Sequence, residues 1–357
     1  MTVKNQTSQK RNPLAFLFND SDLLRMVIVT VAIFVAMSSL SNKFTRPSVV
    51  TSMGYQIPEL GFYSLAMMMV MVTGGRDLSI VGIGNLAGIL AAMVMHQGYE
   101  ASLNGSMSLG WVILGVVVGL LIGLVCGVFN GFFVSRFNMP AMMLTMATNF
   151  IYTGFSIGLT DAQAVTNIPS CFAYLGNNTF LGLPIPLWFL IIALAVAAYL
   201  LNYTRYGFEV RMLGSNARAS HYSGMDNRKI LMKTYIYSGI MSALAGLIIL
   251  ARTSTAKADY ANTYTFQAIL CAVLGATAPN GGFAKISCMV LSLASLQFLS
   301  SGFSLLRLGG FFKEFAWGAL LIVVLSMNYF IEAYRKQRSI RAITKKAEMD
   351  KAQKSQA

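Results

Sequence analysis

The sequence predicts an all-α membrane protein of about ten transmembrane helices, two of them interrupted, with both termini cytoplasmic. Three observations predict it. Of 357 residues, 55% are hydrophobic and only 11% charged, too few charges to cover a soluble domain of this length. Apolar runs of roughly 17–25 residues recur, the length of α-helix that crosses about 30 Å of hydrocarbon, and the alternating segments of a membrane barrel are absent. The third is the placement of a net charge of +14. Eight Lys or Arg lie in 335–357 and six in 204–233, whereas 95–110 and 161–186 hold none. Basic residues stay on the cytoplasmic side, so the first two segments read as inside and the last two as outside.

The expected spans are 23–40, 57–73, 78–95, 111–135, 141–160, 187–203, 234–251, 266–278, 284–306 and 312–334. The first follows Lys4, Lys10, Arg11 and Arg25, and it is long for a signal-peptide core, so it reads as an uncleaved helix. Residues 1–22 become a cytoplasmic tail, 23–334 the transmembrane domain, and 335–357 a basic cytoplasmic tail. Topology accounts for the basic tail without a nucleic-acid partner.

The second and eighth spans are short, and each runs into a glycine-rich polar break. "VMVTGGRDLSIVG" (70–82) has a counterpart in "AVLGATAPNGGFAKIS" (272–287). Interrupted hydrophobic segments at matching places in two weakly similar halves point to a transport path; ordinary tight hairpins are the plainer alternative. In the first break Gly74 and Gly75 end one helix, and Asp77 is placed to cap the next. Arg76 can neutralise Asp77 or snorkel to the headgroups.

Span four carries Gly115, Gly119, Gly123, Gly127 and Gly131, a glycine every fourth residue. Such a ladder lets a second helix backbone approach closely in lipid. Asn130, beside its last member, needs a polar partner at membrane depth. In span five Thr145, Thr148, Asn149, Tyr152 and Ser156 share one helical face. A stripe of hydroxyls and amides there faces a cavity for a neutral, hydroxyl-rich cargo, or it bonds neighbouring helices.

Several chemistries are missing. There is no GxxxxGK[ST] phosphate loop, no HExxH and no Ser-His-Asp set in a suitable context, so the chain reads as neither an ATPase nor an enzyme. Four cysteines (Cys126, Cys171, Cys271, Cys288) form no CxxC pattern, and only His96 and His221 are histidines, which leaves no metal site. An ion-driven carrier needs an intramembrane carboxylate, and Asp77 is the candidate, with Glu59 at a span edge. The engine is expected in another subunit.

In order along the chain, "GGRDLSIVGIGNLAG" (74–88), "NGFFVSRFNMPAMMLTMATNFIYTGFSIGLT" (130–160), "TRYGFEVRMLGSNARASHYSGM" (204–225), "GIMSALAGLIILAR" (239–252) and "AILCAVLGATAPNGG" (268–282) resemble the permease subunits of bacterial ABC importers for ribose, xylose, galactose and related sugars. The resemblance spans roughly residues 25–332. It implies a bacterial inner-membrane protein, paired with a second permease copy or a paralogue. It also implies a cytoplasmic ATPase with tandem nucleotide-binding domains, which uses ATP and Mg, and an extracytoplasmic solute-binding protein. This chain itself would bind no cofactor.

The resemblance implies that 204–225 contains the helix that docks on the ATPase. The candidate coupling residues are Gly214, Ser215, Asn216, Ala217, Ala219 and Gly224: Asn216 can cap a first turn, and the small residues allow close seating. The alternative is a solvated loop whose charges only set topology. Candidate path residues are Arg76, Asp77, Ser79, Asn130, Thr145, Asn149 and Tyr152. Three positions depart from the family pattern: Arg76 replaces an apolar residue, Arg218 an acidic one, and "ATAPNGGFAK" a GGTSLSGGRG-type stretch. The cargo class expected is a sugar or sugar-like solute; the rival reading is an ion-gradient-driven transporter or channel using Asp77.

Overall fold

A computed structural model describes residues 21–103, 109–327 and 330. Among these described residues there are thirteen α-helices and one small hairpin. They are α1 (Ser21–Leu40), α2 (Pro47–Val72), α3 (Ile80–Leu103), α4 (Leu109–Phe137), α5 (Ala141–Thr160), α6 (Ser170–Asn177), β1 (Thr179–Phe180), β2 (Leu183–Pro184), α7 (Ile185–Tyr203), α8 (Arg205–Ser215), α9 (Ala217–Tyr222), α10 (Asn227–Thr253), α11 (Tyr264–Leu274) and α12 (Ile286–Leu305), with α13 (Gly310–Met327) last. Residues 1–308 and 309–357 form separate compact units, and α13 belongs to the second.

Each expected span coincides with a helix, and among the described residues seven helices are long and apolar enough to cross a membrane. α2 and α5 are long but carry polar groups, and α11 has 11 residues, about 16 Å at 1.5 Å per residue. Several boundaries differ from expectation. α2 starts ten residues before position 57 because Pro47 is pre-set for the first helical position. It is therefore not a short span. α10 begins at Asn227, where Asp226 accepts from Lys229 N–H at 3.2 Å. α3 runs on to Leu103, past position 95. Residues 331–334 of the last expected span, and nearly all of both expected tails, lie outside the described residues.

The centre of the first unit is α2, continuously buried from Pro58 to Val72 and surrounded by α7, α10, α11 and α12. A helix whose apolar residues run all round, here interrupted only by Glu59 and Ser64 among the buried polar residues, belongs in such a place. α10 packs along α4, α2 and α3. The outer faces of α4, α5 and α7 expose Ile113, Val125, Phe150, Phe155 and Ile192, an apolar surface suited to lipid or to another membrane helix. Between α5 and α7 the chain forms α6 and the β1–β2 hairpin, and Val165 bridges to Ala256 in the loop after α10.

Candidate functional site

The break after α2 folds by local rules and then recruits three other helices. α2 stops at Thr73, and Gly74 turns the chain at φ +87°, a conformation open to glycine. The next helix begins with unpaired N–H groups, which neighbouring side chains satisfy. Asp77 Oδ1 accepts from Ser79 N–H at 3.0 Å and from the Ser79 hydroxyl at 2.5 Å. On α5, Thr145 Oγ1 accepts from Leu78 N–H at 3.0 Å and Asn149 Oδ1 from Gly82 N–H at 3.1 Å.

The network continues inward. Ser238 of α10 donates to Asp77 Oδ2 at 2.7 Å. Asn130 of α4 donates to Ser79 Oγ at 2.8 Å, and its own oxygen accepts from Tyr152 OH at 3.1 Å. Six of the seven candidate path residues therefore meet in one cluster, buried except at half-buried Asn149. Within the stripe, Thr148 and Ser156 instead donate to carbonyls of their own helix.

Arg76 stands apart. Its guanidinium makes no ion pair with Asp77, so of the two roles expected for it, neutralising Asp77 is not the one the structure shows. Asp77 turns inward to two hydroxyls, while Arg76 points to Met142 Sδ at 3.6 Å, its Nε unpartnered. Ser238 was not singled out by the sequence; a small polar residue on α10 facing the break is its only signal.

The glycine ladder lies against α3 and α10. Gly115 faces Ala91 and Met95, Gly119 faces Ala87 and Leu247, Gly123 faces Gly239 and Ala243, Gly127 faces Tyr235, and Gly131 faces Met232. A methyl group at Gly123 would lie 2.5 Å from Gly239 O, and one at Gly127 2.6 Å from Tyr235 O. These contacts leave no room for a Cβ.

The 204–233 segment holds α8 and α9. Asn216 Oδ1 accepts from Arg218 and Ala219 N–H, each at 3.0 Å, and fixes the first turn of α9. Asn227, absent from the sequence candidates, ties α9 to α10: it donates to Ala217 O at 2.9 Å and accepts from Ser220 Oγ at 2.8 Å. Ala217, Ala219, Arg218 and Tyr222 are exposed, and Gly224 turns the chain at φ +79°. Gly214 and Ser215 instead pack on the two breaks. The Asp226 carboxyl is held below the ordinary carboxylate range, chiefly by the Lys229 N–H. Burial pushes the Tyr206 phenol up to about 12, while its bond to Thr234 acts the other way.

Midway along α2, not at a span edge, Glu59 is wholly buried and pairs with Arg252 of α10. Tyr264 OH donates to Glu59 at 3.1 Å, and Arg252 donates to Tyr260 OH at 3.1 Å. Asn85 of α3 donates to Ala258 O and Tyr260 O, pinning the loop over the pair. Arg252 was missed because only the fold brings it to Glu59. Among the described residues no group of His, Cys, Asp and Glu could hold a metal ion.

A family described as "Branched-chain amino acid transport system / permease component" matches residues 49–327. The ribose import permease protein RbsC of Bacillus subtilis (strain 168) is 27% identical over 296 residues, 82% of this chain and 88% of that protein. RbsC of Haemophilus influenzae is 28% identical over 332 residues, covering 92% and 98%. The L-arabinose transport system permease protein AraH of Escherichia coli (strain K12) is 28% identical over 322 residues, covering 90% and 93%. No solved structure matches.

Proposed function

The chain belongs to the family of branched-chain amino acid transport system permease components, and we propose that it is the membrane subunit of an ATP-driven importer for a small hydroxylated solute. It is a multi-pass membrane permease, so its work is passage rather than catalysis. In this reading it sits in the bacterial cytoplasmic membrane with ten spans, two weakly similar halves and both termini inside. A second permease copy or paralogue completes the path. An extracytoplasmic binding protein delivers the solute, and a partner with tandem nucleotide-binding domains consumes ATP with Mg.

The observation that carries the proposal is α9, a short exposed helix on the basic side, held by Asn216 at its first turn and by Asn227 at Ala217 and Ser220. A chain with no phosphate loop of its own needs such a surface to receive work from a partner. Asn216, Ala217, Ala219 and Gly224 shape that surface, while Gly214 and Ser215 join it to the membrane domain. For the cargo, ribose and L-arabinose in the names of relatives favour a sugar. The hydroxyl and amide groups of Asp77's network suit a neutral, hydroxylated solute, and the buried Arg76 Nε beside it has no hydrogen-bond partner.

One observation favours a second reading, an ion-gradient-driven carrier: Asp77 is a buried carboxyl with hydroxyl rather than cationic partners. Proteoliposomes separate the two. The importer reading expects uptake of labelled ribose or arabinose only with ATPase, binding protein and ATP all present. Uptake by the chain alone under a proton or sodium gradient, abolished by Asp77→Asn, would replace it.

A further inference from the structure

Three glycine segments far apart in the sequence meet at one point. Gly282 N–H, in the second break, donates to Val72 O at the end of α2 at 2.8 Å. Gly281 adopts φ +90°, and a methyl group on it would lie 2.7 Å from Gly74 N and 3.0 Å from Gly214 Cα. A methyl on Gly214 would collide with Val72 O and Gly282 N, and one on Gly282 with the Ser215 hydroxyl. The two breaks and the end of α8 thus touch backbone to backbone. Apart from the Ser215 hydroxyl these contacts are backbone atoms, which cannot absorb a displacement by changing rotamer, and close-packed contacts pass strain on.

The joint sits between the two functional regions. On one side Asn216, a single extended residue (φ −160°, ψ 101°), separates Ser215 from α9. On the other, Asp77 follows Gly74 by three positions and binds α10, while its neighbours Ser79, Leu78 and Gly82 bind α4 and α5. Resting on the reading of α9 as the face that meets the ATPase, we propose that Gly74, Gly214 and Gly281 form a backbone joint that transmits movement of α9 to both helix breaks. These glycines are positioning residues for coupled transport. They need touch neither solute nor nucleotide.

The test uses the full complex, reconstituted with ATPase and binding protein, carrying Gly281→Ala, Ser215→Val or Gly110→Ala. ATPase bound per permease, ATP hydrolysed and sugar taken up per ATP are measured for each. Gly281→Ala forces a side chain into the joint at a left-handed φ; Ser215→Val alters an exposed member of the same contact and guards against a folding defect in the first. The joint predicts near-normal ATPase binding in both, with uptake per ATP falling about tenfold for Gly281→Ala and about threefold for Ser215→Val. Gly110→Ala, with nothing within 4 Å of the added methyl, stays at the wild-type ratio. If the wild type transports and both joint variants keep its uptake per ATP, the joint is refuted while the importer reading stands. A wild-type complex with no ATP-dependent uptake sinks the importer reading and the joint with it.

Discussion

Gly239→Ala probes the helix packing that holds the candidate site together. Gly239 is the α10 counterpart of the α4 ladder, and a methyl there would overlap Gly123 O while lying 2.9 Å from Gly127 Cα and 3.0 Å from Gly127 N. All three neighbours are backbone, so no rotamer change relieves the overlap; the two helices must part. Overpacking of this kind costs about 1–3 kcal/mol. The cost should reach the upper part of that range, because separating α4 from α10 also strains the bonds of Asn130 and Ser238. Gly154→Ala is the matched control: it adds the same methyl to a membrane helix where nothing lies within 4 Å. Its expected effect is below about 0.5 kcal/mol. Reversible unfolding in mixed micelles, followed by tryptophan fluorescence, reads both. Equal stability of Gly239→Ala and wild type would refute the packing argument, as would an equal loss at Gly154→Ala.

Arg252→Met strands the wholly buried Glu59 and should destabilise by about 3 kcal/mol, at the low end for a broken buried pair because the Arg252 side chain is 25% exposed. The double variant Glu59→Leu/Arg252→Met should regain more than half of that loss in the same unfolding assay. Asn130→Leu removes two interhelical hydrogen bonds, at about 0.6 kcal/mol each, while Tyr152 OH retains Cys126 O at 3.3 Å; a loss of roughly 1–2 kcal/mol is expected. Asp226 has a depressed carboxyl pKa in the folded chain. Its capping contribution is therefore complete above the ordinary carboxylate pKa and disappears as pH falls through the depressed value. Amide exchange in the first turn of α10 should accelerate over that acid range, and in Asp226→Ala it should be fast already at neutral pH.

Much of this architecture is legible in local patterns. Apolar run length locates the helices, and the 145–156 stripe locates a polar face on α5. The glycine spacing marks a close-packed face on α4. What the patterns leave out is partners. A glycine every fourth residue says that a backbone comes near, not that it belongs to α10. From sequence, Gly74 reads as a helix end, Gly214 as part of the coupling segment and Gly281 as part of a glycine-rich break, because the contacts joining them cross long stretches of chain. Glu59 and Arg252 lie on different helices, and only folding makes one charge the other's partner. The start of α2 differs from expectation for a simpler reason: Ser48, Thr51, Ser52 and Gln56 break up Val49, Val50 and Met53 in its first turns, so a continuous apolar run begins ten residues after the helix does. Conversely, the charge pair in "GGRDLS" looks like a local ion pair, yet the hydroxyls of nearby Ser79 and of Ser238 on α10 turn Asp77 away from Arg76.

Entry of energy through α9 from a partner ATPase is open to a direct test. A photo-crosslinking residue placed at Tyr222, 89% exposed on that helix, tests it in intact membranes. The same probe at Leu181, 78% exposed on the β1–β2 hairpin, serves as the comparison. Capture of the ATPase subunit is expected from Tyr222 and not from Leu181. Capture from Leu181 alone, or from neither position while ATP-driven uptake proceeds, would contradict it.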